Sequence, residues 1–527
     1  MPSDSIQKIA EELYAYLADR FPVCSWSDEF VFFPQAISSN LDWTRWDDFS
    51  PDSVEDAVLS LRGFRNELGK AARDSDGQGP GDPINAALLL WVTETLEEQL
   101  EFVRHPAVQP TFILTVATMG LVQALQSQNA DALLARMETL PDFLDRFRKA
   151  LIRIPELFRE AGIQMAHDFG RWLDSFRIIC DPQTVVEAKE RLVEALNAVP
   201  VASDFRLSED LLERIVQHHT GSGLDIRDCL LELEEEIAET LVVLESEAGN
   251  MGHGRNWESA FAGIGRESIP EGDKVLLLRK EIRRLRDHCF SEGLPWTDPS
   301  MEQSIVIEKL PASLKPVRAA DSYSAVPGFP FRGGIFYIFD DGGLGQAAHW
   351  IHPVYRMTAA HEVYPGHHLL DMCRWNGPDP LRRPVEYPLF HEGWACFGED
   401  MMLDTGAFDR DYDRLILARR RHRHAVRGKV DLLLHRGDLD LNAAARELES
   451  AGFSRARARE TAGKYALRPA YQMCYTIGRR RFQRIFQSCG GKGRGSFVQT
   501  VLGQGEILFG DLERVLKEGG GKTGFDD

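Results

Sequence analysis

An all-α fold is what this sequence predicts, and three observations carry that expectation. Apolar residues recur every three or four positions over long stretches, the period of a helix with one buried face. Hydrophobic residues make up 43% of the 527, ample for a large core. Clusters of Gly and Pro cut the periodic stretches into helix-sized lengths, and only one short segment has the β-branched and aromatic run of a strand. Large helical enzymes reach this length as one body.

Taken in order, residues 6–17, 54–68, 86–102, 132–147 and 224–244 space apolar residues by three and four with charges between them. Breakers separate them: Gln78-Gly-Pro-Gly-Asp-Pro83, Val199-Pro-Val, Gly221-Ser-Gly and Gly249-Asn-Met-Gly-His-Gly254. The apolar run 110–125 falls short of the ~18–20 residues of a membrane span and reads as a buried helix. Between about 310 and 345 the chain turns rich in Pro, Gly and aromatics. There Gly334-Ile-Phe-Tyr-Ile-Phe339 reads as a strand, followed by the turn Asp340-Asp-Gly-Gly343. Helix resumes with Pro353 at its first position and continues, with interruptions, to Phe486. A Gly-rich loop at 490–495 precedes a last helical segment ending near Lys517. The expected organisation is an N-terminal helical region, 1–300, and a catalytic helical region, 301–527, packed as one body around a cleft.

The net charge of −20 argues against nucleic-acid binding, which leaves a basic footprint. The basic run Ala418-Arg-Arg-Arg-His-Arg-His-Ala-Val-Arg-Gly-Lys429 reads as a solvated, partly paired helix face, with the further option that one arginine reaches a site. The N-terminus lacks a basic region followed by an apolar core, so no secretory signal is expected and no membrane partner is read. Eight scattered cysteines without a C-x-x-C pair fit reduced thiols in the cytoplasm. Oligomeric state is not legible.

The chemistry concentrates in the second half. His361-Glu362 opens like the zinc-protease signature H-E-x-x-H, in which two histidines one turn apart hold the metal and the glutamate is the base. Here Pro365 stands at the second histidine position, and His367 and His368 follow. A catalytic zinc takes three protein ligands and keeps one position open. His361 supplies one, His367 or His368 the second, and Glu392 of Phe390-His-Glu-Gly-Trp-Ala395 the third. Glu399, two turns along the same face, is a candidate outer partner. In Arg427-Gly-Lys-Val-Asp431-Leu-Leu-Leu-His435, Arg, Asp and His share one helical face, so Asp431 could orient His435. Tyr471 and Tyr475 lie one turn apart, and a phenol can stabilise an oxyanion.

Together these clusters resemble domain-of-unknown-function family 885, whose members carry H-E-x-x-P-G-H-H, E-G-W-A, R-x-x-x-D-x-x-x-H and a basic-Tyr pair before P-x-Q-x-x-x-Y-x-x-G. The matching stretches are His361 to His368, Glu392 to Ala395, Arg427 to His435, and Lys464-Tyr465 with Pro469 to Gly478. Leu310-Pro-Ala-Ser-Leu-Lys-Pro and the Gly-Glu-Ile-Leu tail at 505–508 resemble it too, as does Arg153-Ile-Pro-Glu-Leu157 before them. Tyr471 departs from the family's Gln and Lys464 from its Arg. The family in turn is similar to the helical gluzincins, such as angiotensin-converting enzyme and carboxypeptidase Taq.

That likeness implies a gluzincin-like helical body around a substrate cleft, with a small β element before the metal-binding helix. It implies Zn²⁺ on His361, His367 and Glu392, with Pro365-Gly366 as a two-residue insertion. The expected reaction is hydrolysis of peptide or amide bonds of small peptides. Glu362 is the base, Tyr475 steadies the oxyanion, His435 is a supporting donor, and Tyr471 and Arg427 contact substrate. Alternatives are a same-fold metalloenzyme acting on a non-peptide small molecule, or a metal-free binding protein. Helix geometry bears on the second ligand. In a straight helix His368 would sit two turns, about 10.5 Å, from His361, and His367 roughly 120° off its face. Pro365 removes a helix hydrogen bond and Gly366 tolerates unusual angles, so a distortion at 364–366 is expected to swing His367 over His361. The strand at 334–339 is expected to offer an edge for an extended peptide.

Overall fold

The computed structural model describes residues 4–36, 42–74, 82–178, 181–221, 223–269, 273–294, 305–311, 314, 318, 320–339, 350–489 and 493–518. The turn expected at 340–343 lies outside them. The fold is mainly α-helical with a few small sheets.

The chain forms two compact units. The first comprises Met1–Leu207, Leu310–Ala319 and Pro384–Glu386. Its main helices are Asp4–Arg20, Pro51–Asp74, Asp82–Glu97, Pro110–Gln126, Ala130–Ala150, Glu156–Leu173 and Pro182–Ala198. The apolar run is a buried helix, as expected, with Pro110 in the first turn where its missing N–H costs nothing. No single helix among the described residues is long and apolar enough to cross a membrane. The pair Pro83–Val108 and Pro110–Gln126 passes only when taken together, across an 88° bend.

The second unit comprises Ser208–Lys309, Ala320–Arg383 and Tyr387–Asp527. Residues 208–300, grouped with the N-terminal region in the sequence reading, therefore pack with the catalytic helices. The helices that build the site are α1 (Ile226–Asn250), α2 (Tyr355–Glu362), α3 (His367–Asn376), α4 (Pro388–Asp404), α5 (Asp413–Arg436), α6 (Arg455–Tyr465) and α7 (Met473–Ser488). Helix α2 starts two residues after the Pro353 that was expected to open it.

Ahead of α2 lies a three-stranded sheet of β1 (Ile305–Lys309), β2 (Ser322–Ala325) and β3 (Gly334–Ile338) in the order β1-β3-β2. β1 runs parallel and β2 antiparallel to β3. The strand read from the sequence is thus β3, but it is central and both its edges are paired. Among the described residues the outer edges of this sheet belong to β1 and β2. β2 lies in the Pro- and Gly-rich stretch with too little alternation to register, and the sequence reading missed β1, Ile305-Val-Ile-Glu-Lys309, although its β-branched run is a strand signal.

Helices α4 and α7 touch backbone to backbone. A Cβ on Gly393 would come 2.6 Å from the Gly478 Cα, and one on Gly478 would collide with the Leu389 carbonyl, so neither position admits a side chain. That contact explains the glycines of both motifs. Helix α1 is tied to α5 and α7 by Glu236, whose carboxylate is fully buried and takes Arg421, Arg479 and Arg480.

Candidate metal centre

The distortion at Pro365 is a complete break between two helices. Helix α2 ends at Glu362 and α3 begins at His367. Across the gap the Gly366 N–H reaches the Ala360 carbonyl at 3.0 Å and the Leu369 N–H the Val363 carbonyl at 3.2 Å. Both bonds span six residues instead of the helical four. The two extra residues are stored in that wider loop, and His367 lands where the second histidine of H-E-x-x-H would stand. Gly366 is required there because a Cβ would collide with the His361 carbonyl and lie 2.6 Å from that of Ala360. The Trp394 indole N–H from α4 donates to the Pro365 carbonyl at 2.8 Å and holds the loop down.

The result brings His361, His367 and Glu392 together. One ligand atom from each lies within 4.8 Å of the others. Glu392 Oε2 is 3.5 Å from both His361 Nε2 and His367 Nε2, and this buried oxygen has no hydrogen-bond partner. Its other oxygen accepts from the Tyr471 hydroxyl at 2.7 Å. The His361 and His367 rings stand at 86° with centroids 4.7 Å apart. His368 turns away into an aromatic surround of Tyr323, Phe331 and Tyr364.

His361 Nδ1 donates to Glu399 Oε1 at 2.9 Å, which leaves Nε2 as the lone pair. Arg420 grips the same carboxylate, its Nε 2.6 Å from Oε2 and its Nη2 2.8 Å from Oε1. On the other side the His391 ring stacks on His367 at 4.1 Å and meets Glu506 Oε1 through Nδ1 at 3.1 Å.

Burial and charge agree with this layout. Burial, then the neighbouring His391, lowers the His367 imidazole to about 3, which keeps it neutral as a metal ligand must be. Burial opposes ionisation of Glu392, yet His361 and His367 hold its carboxyl well below the usual range. Burial likewise opposes a charge on His361, but Cys396, Glu392 and Glu399 raise it well above the imidazole range. The surroundings therefore call for positive charge at this point. Burial pushes Glu362 up to about 7, and its Oε2 accepts the Tyr323 N–H of edge strand β2 at 2.8 Å.

Helix α5 supplies one wall through residues that recur every three or four positions. Arg420 holds Glu399, and the His424 ring lies edge-on to Tyr475 at 4.7 Å. The Arg427 guanidinium lies 4.7 Å over the Tyr475 ring and bonds Gln472. Tyr475 in turn lies nearly parallel to His361 at 6.1 Å. Asp431 does not orient His435 as expected. Its two oxygens accept the Ala470 and Gln472 N–H groups at 3.2 and 2.9 Å, pinning the turn that carries Tyr471. Ala470 sits at φ +61°, a left-handed conformation that these bonds help to hold. His435 Nε2 is 3.8 Å from Asp431 Oδ1, beyond hydrogen-bond reach, and donates to the Tyr465 carbonyl at 3.1 Å. An i, i+4 spacing shows that two groups share a face, but not which third group claims them.

The sequence reading missed His424 and His391, and it left Arg420 unresolved among the arginines of α5. Glu506 was quoted only within the Gly-Glu-Ile-Leu tail, whose likeness to the family it now explains. The Tyr323 N–H carries no side-chain signal at all.

Residues 180–507 match the family described as "Bacterial protein of unknown function (DUF885)". No curated protein sequence matches the chain. Among solved structures it is similar to a candidate lipoprotein from Colwellia psychrerythraea, at 14% identity and TM-score 0.79, covering 97% of this chain and 98% of that one. It is also similar to a candidate lipoprotein of unknown function from Shewanella oneidensis, at 14% identity and TM-score 0.74, covering 98% and 100%. A carboxypeptidase from Pyrococcus furiosus is a remote likeness at 12% identity and TM-score 0.39, covering 98% and 92%.

Proposed function

We propose, from the premise that the chain belongs to the DUF885 family, that it is a zinc-dependent hydrolase of peptide or amide bonds in small substrates. One observation carries the reading. Two imidazole nitrogens and a partnerless carboxylate oxygen converge in a buried pocket, each ligand braced from behind by Glu399, His391 or Tyr471. A His/His/Glu donor set suits a catalytic zinc with an open position.

His361 Nε2, His367 Nε2 and Glu392 Oε2 would hold the ion. Bound there, zinc acidifies a water molecule and polarises a substrate carbonyl. Glu362, poised near neutrality, takes the proton from the attacking water and passes it to the leaving nitrogen. The Tyr475 hydroxyl donates to the developing oxyanion. Tyr471, already spent on Glu392, orients that ligand, a role that replaces the substrate contact read from the sequence. His435 is assigned to holding the Tyr465 carbonyl and not to the reaction. The open edge of β2 is where an extended substrate adds main-chain hydrogen bonds, displacing Glu362 from the Tyr323 N–H. A cytoplasmic site of action fits the scattered thiols, and an envelope site fits the two lipoprotein-like structures. Cell fractionation separates the two.

Elemental analysis and a peptide-library digest test the reading together. Glu362→Gln is expected to keep about one zinc per chain and to lose at least ~100-fold in rate, the scale of losing a general base. A Glu362→Gln protein that still cleaves at nearly the native rate would remove this mechanism.

A further inference from the structure

Helix α5 carries seven arginines in Asp413–Arg436, and they divide into two groups. Arg414, Arg420, Arg421 and Arg436 each meet a carboxylate: Glu247, Glu399, Glu236 and Asp438 respectively. Arg419, Arg423 and Arg427 meet none within ion-pair distance among the described residues. They are spaced four apart, so they form a row along one face that winds slowly around the helix.

Each of the three lies over an aromatic ring instead. The Arg419 guanidinium is 3.9 Å from the Phe261 centroid, that of Arg423 is 3.6 Å from Phe453, and that of Arg427 is 4.7 Å from Tyr475. Arg419 also donates to the Gly452 carbonyl at 2.8 Å, and Arg427 to Gln472. Arg423 has no hydrogen-bonded or ion-paired partner among the described residues, and its Nε and that of Arg419 are buried and unsatisfied. All three side chains are only partly exposed. Burial, then the neighbouring Arg419, Arg427 and Arg420, pulls the Arg423 guanidinium down to about 9. Burial alone pulls Arg419 down to about 10.

Arg419 and Arg423 are half-buried cations without counter-charge, which is costly in a chain of net charge −20 that has acidic side chains to spare, whereas Tyr465, Tyr475 and Glu392 hold the charge of Arg427 at the inner end of the row. Flat rings hold a guanidinium in place by cation–π attraction, and at Arg423 this leaves both Nη groups without a hydrogen-bonded partner among the described residues. Those groups match the two oxygens of a carboxylate. The row ends at Arg427, over the Tyr475 ring that faces His361.

We propose that Arg419, Arg423 and Arg427 form an anion-binding row that selects carboxylate-bearing substrates for the adjoining centre. The proposal rests on the hydrolase reading for what happens next, but not for binding. The substrate class is therefore a small peptide or acylated amino acid with a free carboxylate, and its amidated counterpart is the poor ligand.

The test is equilibrium binding, which needs no turnover. Calorimetry would measure N-benzoyl-glycine, -alanine, -leucine and -phenylalanine, each as the free acid and as the amide. Titrations run on the full-length protein as purified and again with a chelator, since a metal ion attracts carboxylates by itself. The native protein is expected to bind at least one acid about 10-fold more tightly than its amide under both conditions. Arg423→Gln should abolish that preference while its melting curve stays native-like. Arg414→Gln makes the same charge change on the same helix at a residue already paired with Glu247, and should retain the preference. Three results would overturn the row: equal binding of acids and amides, or none of either; an unaltered preference in Arg423→Gln; or equal loss in Arg414→Gln, which would mean bulk charge alone. If hydrolysis fails while the acid preference follows Arg423, the reaction is wrong and the row stands.

Discussion

Gly366 shows how one residue sets the ligand geometry. Its N–H reaches back six residues to the Ala360 carbonyl, and that approach leaves no room for a Cβ beside the His361 carbonyl. Gly366→Ala must therefore push α2 and α3 apart, and His367 leaves the position 3.5 Å from Glu392. Zinc content measured after gel filtration is expected to fall below a tenth of native in Gly366→Ala and in His367→Ala. His368→Ala should keep its zinc, although emptying a buried aromatic surround costs about 2 kcal/mol or more of stability. A zinc-free His368→Ala alongside a zinc-loaded His367→Ala would reverse the ligand assignment. How much of this was legible follows from the same residues. His361, Glu362 and Glu392 stand out because few other roles put a histidine, an acid and Pro-Gly so close together. His367 followed once Pro365 was recognised as incompatible with a continuing helix. What a buried residue's far side touches leaves no trace in spacing, so His391, His424 and the true partner of Asp431 stayed hidden.

At the level of elements, α1, α5 and α7 share one fully buried carboxylate, Glu236. Burial opposes the charge on Glu236, but Arg479 and Arg421 lower it from 4.5 to about 2. A depressed carboxyl contributes stability that is complete above its unfolded value of 4.5 and is lost as pH falls through about 2. The shift corresponds to something on the order of 3 kcal/mol. Denaturant melts across pH should show Glu236→Gln less stable by a constant margin above about pH 5, with the gap closing toward pH 2. A margin that does not change with pH would mean that Glu236 acts through packing alone. The periodicity that located these helices in the sequence says nothing about such links, because Glu236 lies 185 residues before Arg421 and 243 before Arg479. It also missed that β3 is a central strand, since β2 has too little alternation to register and β1 was missed.

For the molecule as a whole, the helical class and the crowding of chemistry after residue 350 were readable from composition and motif order. The grouping of residues 208–300 with the catalytic helices was not, because amphipathic helices look alike whichever core they join. A bound ion at this centre should also stabilise the fold by mass action, by about 2.7 kcal/mol at a hundredfold excess over its dissociation constant. Thermal unfolding after exhaustive chelation is expected to move down by several degrees and to recover on adding zinc but not magnesium, which prefers oxygen ligands. A melting temperature indifferent to chelation would mean that the triad is braced by its own hydrogen bonds and holds no metal.

The crossing of α4 and α7 has a mechanical consequence. Gly393 and Gly478 put the two backbones in direct contact, and beside them Phe390, Trp394 and Phe397 of α4 pack on Phe482 of α7 while Arg479 pairs with Asp400, so the crossing is a stiff pivot that resists both separation and rotation. Glu392 adjoins one side of the pivot, and Tyr475 lies three residues, about 4.5 Å along the axis, from the other. A lever that short converts even a tilt of about 10° into a displacement of under about 1 Å. Ligand and phenol therefore keep their spacing when the helices tilt, so small motions of the body leave the reaction geometry nearly still.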